Sequence, residues 1–261
     1  MSIPGGAFWM GSAEGEGEAD ERPQRRVTLS AFCIDRTEVT VAAYRACVGA
    51  GGCTPAPSTV NVSNYSPEDA RFWSQFCNAG RDDVDSHPIN CVDWAQADGY
   101  CRWRGGSLPT EAQWEYAARG SDGRRYPWGN GAPGPTRLNA IGAEANRGLS
   151  PLGRTFHARM YDGDDGYPFT APVGSYPAGA SPFGLQDMAG NVCEWVADWY
   201  GAYDSTSAVN PVGPQSAQYR VNRAGSWIFS IPTDVRASRR FRDAVAERHH
   251  FLGFRCARAA P

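Results

Sequence analysis

The chemistry open to this 261-residue chain starts with eight cysteines and four histidines. No two cysteines form the close C-x-x-C pairs of zinc or redox sites. Cys47 and Cys53 are six apart in CVGAGGC, where glycines let the chain double back. Cys77 and Cys91 bracket a polar loop. Both pairs read as local disulfides, worth about 2–3 kcal/mol each from loop-closure entropy, with buried free thiols as the alternative. Disulfides imply an oxidising compartment, extracellular or periplasmic. Of the histidines, His249 and His250 are adjacent and point apart on any regular element, so they do not hold one ion together. With Asp234 they make at most a weak metal site. Ser226 lies in no G-x-S-x-G elbow, which argues against a serine hydrolase. All 25 basic residues are arginine. Schiff-base catalysis and Walker-type phosphate loops need a lysine and are excluded.

Oxygen ligands gather in the middle of the chain. Asn139 precedes a loop that ends in Asp162-Gly-Asp-Asp165-Gly-Tyr167, and Asp187, Gly190 and Glu194 follow in GLQDMAGNVCEW. Calcium takes six to eight oxygens from carboxylates and from carbonyls that glycine-rich turns expose. Acidic turns in a solvated loop would look the same.

The elements that must position these groups are few. Val27 to Asp35 alternates enough to be a strand. Thr40 can cap a helix with Val41, Tyr44 and Val48 on one face. Asp93 caps a second, with Trp94, Ala97 and Cys101 inward and Gly105–Gly106 ending it. Thr110-Glu-Ala-Gln113 is a capping box that opens a third, with Trp114, Ala117 and Ala118 inward and Gly120 at its end. Residues 13–23 are an acidic loop. From 121 to 218 the chain is rich in glycine and proline with little periodicity, and a loop span that long needs bound cations or disulfides to order it. Thirty glycines and 19 prolines, 49 of 261 residues, fall short of a disordered composition. The length suits one domain, 1–261, with a sizeable core. No apolar run is long enough to span a membrane, and no apolar leader opens the chain, so any export signal or anchor is expected outside it. Residues 219–261 carry nine arginines against Asp234, Asp243 and Glu247, or +6, which leaves −9 for the rest of a chain of net charge −3. Such a tail can draw anionic ligands or pair internally with the acidic body. Nucleic-acid binding does not fit this balance.

Seven collinear segments carry a resemblance: IPGGAFWMGS (3–12), IDRTEVTVAAY (34–44), HPINCVDWAQADGYCRW (87–103), LPTEAQWEYAARG (108–120), YPWGN (126–130), the stretch 171–200 containing GLQDMAGNVCEW, and RVNRAGSW to LGFRCAR (220–258). Together they resemble the formylglycine-generating enzyme (sulfatase-modifying factor) superfamily from about residue 3 to the end. The resemblance implies a single compact α/β (α+β) domain related to the C-type lectin fold and poor in regular secondary structure. It also implies two Ca2+ sites. The first takes Asn139 and Asp165 side chains with Ala140 and Tyr167 carbonyls. The second takes Asp187 and Glu194 with Gly190 and Val192 carbonyls; family enzymes often have Asn where Asp187 stands. Their role would be structural, so calcium loss should loosen loops rather than stop a chemical step. The family further implies a Cys101–Cys256 bridge, closing a loop of about 155 residues and worth roughly 5 kcal/mol at most. Elimination leaves Cys33 to pair with Cys193.

Enzymes of this family oxidise a sulfatase cysteine to formylglycine with copper(I) held by two thiolates, soft ligands suited to that ion. In the register of their GGSW-like motif the two thiolate positions fall here on Phe229 and Asp234, and no cysteine lies between 194 and 255. The first Trp of the family's GNxWEW motif is Cys193. Formylglycine generation by that mechanism, and copper, are therefore not expected. One reading is a non-catalytic, calcium-stabilised binding module. The corresponding surface, residues 226–251, is a variable binding face in diversity-generating retroelement proteins with a similar fold. It would display Trp227, Phe229, Asp234, Arg239, Arg240, Arg242, His249 and His250 to a protein, peptide, glycan or anionic ligand. Trp227 and several of the arginines, Arg236 and Arg255 among them, could instead be scaffold. The alternative is an oxidoreductase of the superfamily acting on a peptide or small thiol or metabolite without the cysteine pair. Ergothioneine-pathway sulfoxide synthases and pyoverdine-maturation proteins are such relatives, though the former need a three-histidine iron domain that this chain lacks.

Overall fold

The computed structural model describes residues 1–204 and 208–261. Two short strands open the chain, β1 (Ser2–Ile3) and β2 (Gly6–Met10). The predicted strand over 27–35 divides into β3 (Arg25–Leu29) and β4 (Phe32–Ile34). The division lets β3 pair with β2 while β4 joins β1 and the C-terminal β9 (Ala257–Ala259). Alternation along β3 and β4 puts Val27, Leu29, Phe32 and Ile34 into the core.

The three expected helices form at their expected caps. In α1 (Val41–Gly49) Thr40 Oγ1 accepts from Ala43 N at 3.1 Å. In α3 (Trp94–Trp103) Asp93 accepts from Gln96 N at 2.9 Å and Gln96 Oε1 accepts from Asp93 N at 3.2 Å. The box of α4 (Glu111–Arg119) closes the same way, through Thr110 and Gln113. Gly120 follows α4 with φ +64°, a left-handed turn that favours glycine. Sequence periodicity missed α2 (Pro67–Ser74), although Ser66 caps it and Pro67 fills its first turn. No side chain of α2 is fully buried, but Ala70 and Trp73, three residues apart, pack on the small cluster of Val60, Cys77 and Cys91.

Beyond α4 the chain is loop, as expected, apart from α5 (Ala145–Leu149) and short 3-10 turns, until β5 (Cys193–Trp199). Strand β5 pairs antiparallel with β6 (Tyr219–Arg223) and parallel with β8 (Leu252–Phe254), and β7 (Phe241–Ala244) pairs with β6. The order is β7-β6-β5-β8. One core packs α4 with Phe8, Val27, Leu29, Phe32 and Val196, and a second gathers α1, α3, Trp195 and Phe254. The result is a single compact α+β domain with few helices. Among the described residues no helix is long and apolar enough to cross a membrane.

Three disulfides join Cys47–Cys53, Cys77–Cys91 and Cys101–Cys256. The expected Cys33–Cys193 bond does not form, and both thiols are free. Cys33 pairs with Ser2 and Arg258 in the β1-β4-β9 sheet, while Cys193 opens β5 beside β8 in the four-stranded sheet. Elimination ignored that separation.

Candidate functional site

The arginines of the C-terminal segment mostly face inward. Arg223 donates to Glu111 Oε1 (2.7 Å) and Glu115 Oε2 (2.8 Å), and all three side chains are buried. Arg240 grips both oxygens of Glu111 (2.7 and 2.9 Å) and also donates to the Asp20 and Gly201 carbonyls. Arg236 meets Glu21 with two bonds of 2.7 Å. Arg255 does the same with Glu194. These forked pairs are the internal pairing that the uneven charge allowed. Burial alone would raise the Glu21 carboxyl, but the bonds from Arg236 and Ser12 outweigh it and hold it at about 2.

Several residues expected on an open binding face are thereby removed from it. Trp227 is 2% exposed and packs among Phe76, Phe169 and His250. His250 is wholly buried and stacks on Trp73 with ring centroids 4.3 Å apart. Burial pushes its pKa well below the usual histidine value, so the ring is neutral. His249 is buried as well, and Arg240, 3% exposed, keeps only a small part of its surface on the face. The error has one source: sequence reading treats Arg and His as surface groups, whereas paired arginines and stacked imidazoles can sit inside.

What remains is a groove of about 420 Å³ lined in part by β7, β6 and β5. Phe229, Phe241, Phe251 and Tyr200 supply its apolar surface, with Asn222, Asp20, Asp243, Arg239, Arg240 and Arg242 as its polar groups. Arg242 is exposed and lies over the rings of Tyr200 (4.6 Å) and Tyr219 (5.7 Å). Arg239 lies over Phe241 at 4.9 Å and is ion-paired with Asp234 at 3.3 Å. Burial raises the Asp234 carboxyl, and Arg239 opposes that rise. Phe229 is half-buried against Phe241 (5.2 Å) and Phe251 (6.2 Å).

The groove also contains a group that the sequence reading placed elsewhere. Cys193 lines it as a buried free thiol. Burial, and then the charge of Asp243, push this thiol well above its usual range, so it stays protonated. The donor set does not fit copper(I). Among the described residues the groove offers one neutral thiol, the aromatic ring of Phe229 at the first expected thiolate position and the hard carboxylates of Asp20 and Asp243, while Asp234, at the second position, does not line the groove and is tied to Arg239.

Two carboxylate clusters lie outside the groove. In the first, Asn139 Nδ2 donates to the Phe169 carbonyl at 2.8 Å, while its Oδ1 is buried without a hydrogen-bond partner. An orphaned buried oxygen is costly unless something accepts its lone pair. Asp165 lies alongside, taking Tyr161 OH (2.6 Å) and Ala140 N (3.2 Å) on Oδ2 and Tyr167 N (2.9 Å) on Oδ1. Burial pushes its pKa up to about 6. A hard cation could take Asn139 Oδ1 and Asp165 together. Ala140 and Tyr167 meet Asp165 here through their amides.

In the second cluster, Asp187 adopts a left-handed φ of +57° and takes Gly174 N at 2.6 Å. Glu38 lies beside it, wholly within the protein, with Oε1 unpartnered. Burial and the charge of Asp187 push Glu38 well up, and burial also raises Asp187. Glu194, expected as a ligand, is already gripped by Arg255 and accepts from Trp114 Nε1 at 2.7 Å. Three carboxylates against one guanidinium leave a buried surplus of two negative charges, which a divalent cation or protons must neutralise. Sequence reading missed Glu38 because it lies about 150 residues from Asp187 and no local pattern marks it. The two clusters touch. Gly190 has φ +81°, and a β-carbon there would stand 2.4 Å from the Asn139 carbonyl, which also accepts from Asn191 N at 3.0 Å.

Known proteins align with this arrangement over its whole length. The family described as "Sulfatase-modifying factor enzyme 1-like domain" matches residues 1–260. A formylglycine-generating enzyme of Streptomyces coelicolor is 36% identical, with 100% of this chain and 89% of that protein covered. The inactive C-alpha-formylglycine-generating enzyme 2 of Bos taurus is 31% identical, with 100% and 88% covered. Among solved structures, PvdO from Pseudomonas aeruginosa superposes with a TM-score of 0.73 at 28% identity, covering 99% of this chain and 93% of its own.

Proposed function

The chain belongs to the sulfatase-modifying factor family, and from that premise we propose that it is a calcium-stabilised, non-catalytic binding module. One observation carries the reading. Both positions at which the resemblance calls for copper-binding thiolates hold other groups, and Asp234 is engaged by Arg239. Inactivity is already named for one relative, the bovine protein.

Calcium would occupy both carboxylate clusters: Asn139 and Asp165 in one, Asp187 in the other. The support is the unpartnered oxygens of Asn139 and Glu38 and the buried negative surplus. Bound there, calcium supplies fixed charge that orders the loops between α4 and β5. The ligand face is the groove, with Phe229, Phe241 and Phe251 as apolar wall and Arg239 and Arg242 as its cationic groups. That pairing suits an anionic group attached to an apolar body, as in an acidic peptide or a carboxylated glycan. Three disulfides fit an extracellular or periplasmic setting.

The test is an array of peptides, glycans and organic anions probed with calcium-loaded protein. Arg242→Ala should weaken any captured ligand by about tenfold, as expected for one charged hydrogen bond, without moving the melting temperature. Capture that ignores Arg242→Ala, Arg239→Ala and Phe229→Ala alike refutes this face. A second reading, an oxidoreductase acting on a thiol or metabolite, is favoured by the Cys193 thiol in the groove. Oxygen uptake that depends on Cys193 would replace the binding role with that one.

A further inference from the structure

One cluster beside the groove belongs to neither carboxylate site. Asp243, near the end of β7, Glu247, in the turn that follows, and His249 each offer one ligand atom, and these atoms lie within 4.8 Å of one another. We infer that Asp243, Glu247 and His249 form a three-ligand site for a first-row divalent transition-metal ion at the wall of the groove.

The geometry is built rather than incidental. His249 is 6% exposed, and neither ring nitrogen has a hydrogen-bond partner. Nε2 lies 3.0 Å from Asp243 Oδ1 and 3.8 Å from Glu247 Oε2 without forming a hydrogen bond to either. Phe251 packs on the ring at 4.7 Å and Tyr65 meets it edge-on at 6.3 Å, so the imidazole is held in place by carbon. Each carboxylate is oriented from behind. Asp243 Oδ2 takes Asn222 Nδ2 at 2.7 Å, which leaves Oδ1 toward the histidine. Glu247 Oε1 takes Ser63 N (3.1 Å) and Ser63 Oγ (2.7 Å), and Oε2 takes Ala244 N at 3.2 Å. Hydrogen bonds of this kind behind the ligands fix the ligand set of a metal centre.

Charge points the same way. Among the described residues no arginine pairs with either acid: Arg248 turns to Asp93 (3.8 Å), and Arg242 lies over tyrosine rings. Two carboxylates and one imidazole match the borderline preference of zinc, iron or manganese better than that of calcium, which takes oxygen alone. Ligands about 2.1 Å from a tetrahedral ion stand roughly 3.4 Å apart; Nε2 makes separations of 3.0 and 3.8 Å with the two carboxylates, and the three atoms as a set, within 4.8 Å, would draw in around an ion. Because Asp243 also lines the groove, an oxygen of a groove ligand could complete the coordination. The inference is independent of whether calcium occupies the other clusters.

The experiment titrates chelator-stripped, calcium-saturated protein with Zn2+ in a calorimeter and, separately, records the visible spectrum with Co2+. One tight equivalent of Zn2+ is expected. His249→Gln and Asp243→Asn should each weaken it by about 100-fold or more, and Asn222→Ala by about tenfold through the lost support. His157→Gln, at an exposed histidine, should change nothing. Thermal midpoints in calcium establish that each variant is folded. The wild-type cobalt spectrum needs no variant: intense bands of a low-coordinate site support the proposal. A spectrum of the hexaaqua ion, or zinc uptake unchanged by His249→Gln, overturns it in favour of a plain histidine–carboxylate contact.

Discussion

Replacing Asp165 by Asn separates a cation ligand from a mere hydrogen-bond acceptor, because the two roles give effects of different sign. Without calcium the carboxylate is a burden at neutral pH. Its pKa is raised by burial from 3.8 to about 6, a shift of about two units, or at most about 3 kcal/mol against the folded state. Asn removes that charge. It also forfeits an acceptor, since Asp165 takes donors on both oxygens from Tyr161, Ala140 and Tyr167, and losing one such bond costs about 1–2 kcal/mol. In chelator, Asp165→Asn should therefore melt at the wild-type temperature or up to about 4 °C above it. With calcium at about 100 times its dissociation constant, wild type gains about 2.7 kcal/mol per site. The variant forgoes one site but keeps whatever it gained in chelator, so it should melt roughly 1–10 °C below wild type. Differential scanning calorimetry with and without calcium reads both arms, and calorimetric titration should show two calcium equivalents falling to one. An equal drop in both buffers would refute the reasoning and make Asp165 a structural acceptor.

Calcium affinity should itself fall below about pH 6, by up to tenfold per unit, because a proton then competes for Asp165; isothermal titration from pH 5 to 8 checks this. Glu21 has the opposite sign: its folded pKa of about 2 is below the unfolded 4.5, so its contribution is complete above pH 4.5 and lost as pH falls toward 2. Glu21→Gln should flatten the acid limb of a urea-stability profile by about 3 kcal/mol; an unchanged limb rejects the Arg236 pairing. Arg223→Met leaves Glu111 and Glu115 short of a buried partner and should destabilise by about 3–5 kcal/mol, measured by urea unfolding, with any value under about 1 kcal/mol against it. Gly190→Ala drives a β-carbon to 2.4 Å from the Asn139 carbonyl and should cost several kcal/mol, roughly the price of core overpacking, and weaken calcium binding in the same titration.

Local chemistry was the most legible part of the sequence. Thr40, Asp93 and Thr110 cap helices because a short polar side chain satisfies orphan amides wherever it stands, so these starts needed no tertiary knowledge. The short disulfides were readable for a similar reason. Helix α2 was overlooked although its Ser66 cap, Pro67 and the apolar face of Ala70 and Trp73 were all in the sequence. Misreadings came where long-range partners decide. Arg240 and His250 are surface residues by type, yet Glu111 and Trp73, each more than a hundred residues away, bring them inside. Cys33 and Cys193 looked like a leftover pair, but their sheets hold them apart. Glu38 and the Asp243–Glu247–His249 cluster escaped because their meaning lies in what they meet, not in how they are spaced.

The central claim is that this member of the family has lost the soft metal grip of an oxidase. The direct measurement incubates the protein with copper(I), oxygen and a cysteine peptide derived from a sulfatase, and follows the peptide by mass spectrometry. The account predicts an unmodified cysteine and no stoichiometric copper on the protein. Conversion of that cysteine to formylglycine, with copper(I) bound in the groove, would contradict it.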